Sequence, residues 1–340
     1  MSPLPSIFTS PPPSVGVEIA SDRVTAVSLA RQAGRWIVGG HGTERLAPGV
    51  VTPALNAVNV HDGRVLSAAL RSAFDKLGTR PRRVALVIPD TAAKLSLLRF
   101  EKIPAEADLD QLIRWQMRKA APFKPEDAQI SWVPAAPIPG GGREYLVTLG
   151  RRDIIESYMR ACADAGASAG LVDLASLNLI NAALASGGET TASGPSTGSG
   201  SSREMSRGDW LIVHVAPDYA TLAIVRDKDL IYFRTRQLEA DADLADLVHQ
   251  TAMYHEDRLS GGRFARVVLS GASPRGAELP VDAAERNARL RRGLEERMGV
   301  NVEALDFRGT AAMRDRISAG ADLLDTLAPA VGVVLREQVA

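Results

Sequence analysis

The chain has 340 residues, room for about two domains of ordinary size, and its 45% apolar and 24% charged content is that of a soluble, core-forming protein. Forty basic and forty acidic side chains cancel, so no global field recruits nucleic acid or an anionic membrane. A lone cysteine, Cys162, excludes an internal disulfide and suits a reducing cytosol, and no apolar run approaches the ~20 residues of a membrane-spanning helix.

In chain order, the opening MSPLPSIFTSPPPS lacks the basic start and apolar core of a signal peptide, so residues 1–13 read as a disordered arm. VGVEIASDRV then runs an apolar strand into a short polar turn and out into a second strand, Val24 to Leu29. A turn at Arg31–Gly34 leads to a third strand from Trp36. Val84–Ile88 is a buried-strand run closed by Pro89 and Asp90. KLSLLRF predicts a strand, and Ala107–Ala120 predicts a helix with acids first (Asp108, Asp110) and bases last (Arg114, Arg118, Lys119). Leu109, Leu112, Ile113, Met117 and Ala120 form its buried stripe, with Trp115 off the stripe beside Lys119. Pro122 stops it.

Two more strands follow, Gln129–Val133 and Glu144–Leu149, then a helix Asp153–Ala165 capped by Gly166. Cys162 sits at helical spacing from Ile154, Ile155, Tyr158 and Met159 and reads as core. This order predicts a small α+β subdomain, residues 94–168, inserted in a first lobe made of 14–93 and 169–185. Leu171–Asp173 leads into a helix, Leu174–Ala185. Gly, Ser and Thr dominate 186–208, which reads as a flexible linker.

The second lobe, 209–340, opens as the first does. VHVAPDYATLAIV lies along VEIASDRVTAVSL with Glu18 on His214, Ala20 on Ala216, Asp22 on Asp218 and Thr25 on Thr221, which suggests an old duplication. A strand Val267–Ser270 ends at Gly271. Helices follow near Ala283–Met298 and Leu327–Gln338, the last expected to pack back on the first lobe. Alternating strands and helices place the whole in the α/β class.

QLIRWQMRKAAPFKPEDAQISW, RVALVIP, EYLVTLGRRDIIESYMRACADAGASAGLVDLASLNL and the closing LAPAVGVVLRE, in that order, resemble the type IV pilus assembly protein PilM family, relatives of FtsA among the actin-like ATPases. The resemblance implies a two-lobed actin-like (ribonuclease H-like) fold with ATP and Mg²⁺ in the cleft between the lobes. It also implies a cytoplasmic protein, held peripherally at the inner membrane by docking the N-terminal peptide of a PilN-like protein in a groove beside the inserted subdomain. Pilus motor components and further copies of the chain are other partners it implies.

The nucleotide loops depart from the family pattern. In the first, Asp-x-Gly-Ser becomes Glu18, Ala20 and Ser21, and the usual Lys is Thr25. Glu18 carries its charge one methylene farther, and Ala20 adds a methyl where a phosphate would approach. In the second, His214 and Ala216 replace the acid and glycine, Pro217 removes an N–H, and Thr221 is kept. The adenosine turn keeps Ser270 and Gly271 but has Ala272. Glu18, Ser21, Thr221, Ser270 and Gly271 are therefore the residues of a vestigial cleft, expected to be empty with bound ATP and Mg²⁺ as the alternative, with no catalytic residue and no metal site.

His214 has no nucleophile or metal partner at suitable spacing to make it a catalytic base, and the five histidines show no paired ligand spacing. Arg80, Arg82 and Arg83 read as a solvated edge. Trp115, expected to pack within the chain, has a partner-facing role as its alternative, with Lys119 and Phe123. The function implied is a scaffold. The alternatives are an active actin-like ATPase or sugar kinase with Asp90 near the base position, an FtsA-like filament former, or a type II secretion cytoplasmic domain.

Overall fold

The computed structural model describes residues 12–187, 208–238, 241–271, 280–314 and 319–336. Nearly all of the arm and linker expected from sequence, together with Ala272, lie outside them. The first meander is β1 (Val15–Ile19), β2 (Arg23–Gln32) and β3 (Arg35–Arg45), and α1 (Gly63–Asp75) leads into β4 (Arg83–Ile88). The inserted unit holds β5 (Ala93–Phe100), α2 (Glu106–Arg118), β6 (Ala128–Ile138) and β7 (Gly142–Arg151). Then come α3 (Arg152–Asp164), β8 (Ser168–Leu174) and α4 (Ala175–Gly187). The second half contains β9 (Trp210–Val215), β10 (Tyr219–Arg226), β11 (Asp229–Gln237), α5 (Asp241–Leu259), β12 (Arg266–Ser270), α6 (Pro280–Met298), β13 (Val302–Ala304), β14 (Ala311–Met313) and α7 (Ala321–Leu335).

Two sheets repeat one plan. The first runs β14-β3-β2-β1-β4-β8 and the second β11-β10-β9-β12-β13. In each, an antiparallel meander is extended by parallel strands beside its first member. The repeat holds to the residue: Glu18 faces Thr25 across β1 and β2, and His214 faces Thr221 across β9 and β10. The Ala20 N–H closes its turn on the Arg23 carbonyl at 2.9 Å, as the Ala216 N–H does on Tyr219 at 2.9 Å.

Strands such as LIVHV and TLAIV are apolar almost throughout because both their faces are covered. Ile212, Ala223, Val225 and Val268 face the same core as Leu179 of α4 and Leu327 and Val331 of α7. Leu211, Val213, Leu222 and Ile224 face the core shared with Leu247 of α5 and Leu294 of α6. Helices α4 and α7 thus lie between the two sheets, with α1 and α3 on the outside of the first and α5 and α6 on the outside of the second.

In the inserted unit a three-stranded sheet, β5-β7-β6, carries α2 on one face. Leu109, Ile113 and Met117 of α2 are buried there against Ile130, Tyr145, Val147 and Leu149. Leu112 is 38% exposed, so the stripe is narrower than the sequence suggests, one face of one small three-stranded sheet being too little surface to cover it. Helix α3, placed by sequence in the insertion, packs instead with the first lobe: Tyr158, Ala161 and Cys162 share a core with Leu66 and Leu70 of α1. Strand β14, placed by sequence in the second lobe, pairs with β3 of the first sheet. Helices α1 and α5 are absent from the sequence reading.

Helices α4 and α7 cross in close contact at Gly332. A Cβ there would lie 1.8 Å from the Asn178 carbonyl oxygen, and backbone cannot yield as a side chain would. Gly332→Ala is therefore expected to cost roughly 1–3 kcal/mol or more, read as a lower urea midpoint at unchanged m-value.

Candidate functional site: a closed cleft and an open groove

Strand β4 ends at Ile88, and after Pro89 the next residue, Asp90, begins a short 3₁₀ turn that points its carboxylate between the lobes. Asp90 is 2% exposed. Its Oδ1 accepts the backbone N–H of Ser176 at 3.0 Å, capping the first turn of α4 from outside the helix. Its Oδ2 accepts the Ser176 hydroxyl and, from the second lobe, the Thr221 hydroxyl at 2.7 Å. The Asp90 N–H donates to the Tyr219 hydroxyl, again from the second lobe, at 3.2 Å.

His214 Nδ1 lies 2.8 Å from Ser176 Oγ and 3.5 Å from Asp90 Oδ2. Ser176 has one hydroxyl proton and gives it to Asp90, so His214 must carry its proton on Nδ1 and donate to Ser176. By the same count Thr235 donates to Thr221 at 2.8 Å. Burial works against ionisation of Asp90, but the hydrogen bonds and charge of His214 and the donors of Ser176 outweigh it and hold the carboxyl below its ordinary range. Asp90 is a buried anion with every contact satisfied.

Two further contacts cross the cleft. Ser21, at the tip of the first hairpin, donates to Asp218 of the second at 3.2 Å. Asp325 of α7 receives the Gly271 N–H at 2.9 and 3.0 Å and the Ser270 hydroxyl at 2.5 Å. Between these contacts remains a cavity of about 10 Å³, lined among others by Glu18, Ala20, Arg23, His214, Ala216 and Gly271. That is the size of one water molecule. Glu18 is buried, its Oε2 3.7 Å from an Arg23 nitrogen and without a hydrogen bond. Desolvation pushes its carboxyl up, more than Arg23 and His214 pull it down.

The cleft thus brings together Glu18, Ser21, Thr221, Ser270 and Gly271, but apart from Glu18 their groups are bonded to other residues of the chain: Ser21 to Asp218, Thr221 to Asp90, and Ser270 and Gly271 to Asp325. The Ala20 and Ala216 amides hold their own turns, Gly271 holds Asp325, and Pro217 has no N–H to give. Magnesium triphosphate does not fit these residues: ligand sites span about 300–1,000 Å³, and the walls already carry Glu18, Asp218 and the nearby Asp325. Among the described residues no group of three or more His, Cys, Asp and Glu could hold a metal ion.

A larger opening of about 630 Å³ lies elsewhere, between β8 and the face of the inserted sheet that α2 leaves uncovered. Ile155 and Met159 of α3, Leu171 of β8 and Leu177 of α4 give it an apolar floor, and Val133 and Thr148 line its far wall. Arg152, Glu156, Asp173 and Arg336 charge its margins, Arg336 standing 3.5 Å from Asp173. Strand β8 ends its sheet and runs along this groove, so it offers an unshared backbone edge. Trp115, Lys119 and Phe123 do not line the groove. Trp115 is 55% exposed on α2 with the Lys119 ammonium 4.8 Å from its ring centre, and Phe123 packs against the core under α2.

The sequence model of a family described as "Type IV pilus assembly protein PilM" matches residues 16–257. This chain belongs to the PilM family. Its fold is similar to that of a solved "PilM-PilN type IV pilus biogenesis complex", with a TM-score of 0.72 at 15% identity, covering 96% of this chain and 98% of that one. Weaker likenesses are a Bacteroides thetaiotaomicron protein of actin-like ATPase fold (TM-score 0.48, 9% identity, 85% and 89% covered) and the ethanolamine utilization protein EutJ of Carboxydothermus hydrogenoformans (0.46, 12%, 96% and 90%). No curated protein matches by sequence. The fold is two-lobed and actin-like, and among the described residues no helix is long and apolar enough to cross a membrane.

Within this PilM-family fold the cleft depends on residues the sequence reading passes over. Ser176 and Tyr219 carry no motif. Asp325 precedes the helix expected from Leu327, whereas α7 begins at Ala321 and includes it. A carboxylate on the inward side of an otherwise apolar helix was the available signal. Asp90 stands in the sequence reading as a nearby acid for kinase chemistry; here it is sealed from solvent by its own partners.

Asp90→Ala leaves Ser176, Thr221 and His214 without their acceptor and is expected to cost roughly 3–5 kcal/mol. Because the folded pKa is depressed, the stabilisation is fully present above the unfolded Asp value of ~3.9 and is lost as pH falls through the lower folded value. The Tm difference between wild type and Asp90→Asn should therefore be flat near neutrality and shrink only in acid.

Proposed function

We propose that this PilM-family protein is a scaffold whose interlobe cleft has lost nucleotide chemistry. Its groove takes the cytoplasmic N-terminal peptide of a PilN-like inner-membrane protein. The observation that carries the reading is the contrast between the cleft and the groove: the cleft is reduced to the volume of one water, while the groove is wide enough for an extended peptide and bordered by the sheet-edge strand β8. A peptide strand laid along β8 gains main-chain hydrogen bonds, and side chains of alternate residues enter the apolar floor of Ile155, Met159 and Leu171. The charged margins accommodate ends of either sign. The solved relative named as a PilM-PilN complex supports the choice of partner. Attachment to the inner membrane then comes through that partner, as does contact with other parts of the pilus machine.

Calorimetry tests both halves. A PilN-like N-terminal peptide is expected to bind the wild type, and Ile155→Glu, which puts a charge on the groove floor, to weaken it at least ~10-fold. Trp115→Ala probes the exposed aromatic with Lys119 and Phe123: weakened binding adds that face of α2 to the contact, and unchanged binding confines it to the groove. Mg·ATP is expected to give no binding heat, and tight binding with turnover overturns the scaffold reading.

A further inference from the structure

The turn after β12 has the makings of an anion site. Gly271 adopts φ +82°, a conformation that aims its N–H out of the strand and that a side chain would strain. A Cβ there would also lie 2.5 Å from the Val215 carbonyl oxygen and 2.7 Å from the His214 ring. The Ser270 hydroxyl, on a residue 1% exposed, points to the same spot. Two donors converging on one point, one of them on a buried residue, suit a negatively charged acceptor, since an unmet buried donor costs more than a hydrogen bond returns. The acceptor present is a carboxylate from another part of the chain, Asp325, which receives the Gly271 amide on both oxygens.

The charge balance matches. Arg23, from the tip of the first hairpin, is drawn toward its charged form by Glu18, Asp22 and Asp325 despite burial. The first loop has no lysine, Thr25 standing at that position. One guanidinium can offset a single carboxylate, whereas a triphosphate would bring several charges into a space already lined by acids.

We infer that the Ser270–Gly271 turn is an oxyanion-binding site whose ligand is the chain's own Asp325 side chain, a built-in carboxylate that holds the second lobe against α7 without any nucleotide. Tethered in place, this ligand sits at an effective concentration that free anions cannot match. The inference rests on the reading of the cleft as nucleotide-free and adds to it the identity of what fills the site. Small oxyanions, phosphate or acetate, are the class the emptied turn would take.

The test is anion rescue in the full-length chain. Asp325→Ala is expected to lower Tm by on the order of 5 °C. Inorganic phosphate at constant ionic strength should restore at least half of that loss, and acetate part of it. Leu324→Ala, a cavity in the same helix turn, controls for the general stabilising effect of phosphate on any folded protein. In the ¹⁵N spectrum, phosphate should move the Gly271 amide in Asp325→Ala and leave it unmoved in wild type. An Asp325→Ala protein as stable as wild type overturns the inference, as does a phosphate response no larger than that of Leu324→Ala. Should the alanine variant fail to fold, Asp325→Asn keeps the shape and removes the charge, and a Tm equal to that of wild type overturns the inference. Mg·ATP binding to wild type would instead strike the nucleotide-free reading, so the two failures are distinguishable.

Discussion

The structure turns on one buried anion. Asp90 has lost its water, a cost of several kcal/mol unless its oxygens are fully bonded, and its bonds come from both lobes: Ser176 on α4 on one side, Thr221 on β10 on the other. Separating the lobes would strip Thr221 and Tyr219 from Asp90 and His214 from Ser176, together with the contacts Ser21–Asp218 and Asp325–Gly271. These losses fall together, so opening the cleft costs all of them at once. A hinge that opens and closes on a ligand needs the opposite, a cleft whose walls are met by the ligand and not by each other.

The two matching meanders show how such closure is compatible with the fold. A hairpin that grips phosphate carries an acid and a glycine; here the equivalent positions are Glu18 with Ala20 and His214 with Ala216. An acid in place of His214 would stand where Nδ1 lies, 3.5 Å from the Asp90 carboxylate, a like-charge pair in a dry site. Histidine turns that repulsion into donation through Ser176. Glu18, on the other hairpin, meets no such donor, and burial drives it toward its neutral form. The two halves have diverged in opposite senses, one toward bonding across the interface and one toward silence.

Much of this was legible in the sequence. The meanders announce themselves by strands apolar on both faces and the inserted unit by its strand–helix–strand order, while Ala20, Ala216 and Pro217 mark where the loops depart from the family pattern. What stayed hidden is long-range. Ser176 lies 86 residues from Asp90 and Thr221 131 residues away, and no local pattern marks residues that meet only after folding. Helix α7 was begun too late because its first turns carry Asp322 and Asp325, which look like loop polarity until α7 is seen between two sheets with Asp325 reaching the Gly271 turn. Leu112 and Trp115 err in the other direction. Periodicity finds the apolar stripe of α2 but not how wide a surface waits to cover it.

The closed cleft and the open groove share their framework. Asp173, on the groove margin, is three residues before Ser176, so β8 and the first turn of α4 present one side chain to each concavity. Helix α7 does the same at greater length, with Asp325 at the cleft and Arg336, beside Asp173, at the groove just past its end. A mobile cleft would therefore loosen the β8 edge and the α4 and α7 ends that shape the groove. A cleft fixed by Asp90 holds that wall in one geometry, and a preformed groove loses less entropy on filling than one that must first be ordered. On the proposed reading the two concavities go together: the internal bonds that close the cleft also hold the α4 and α7 ends that wall the groove.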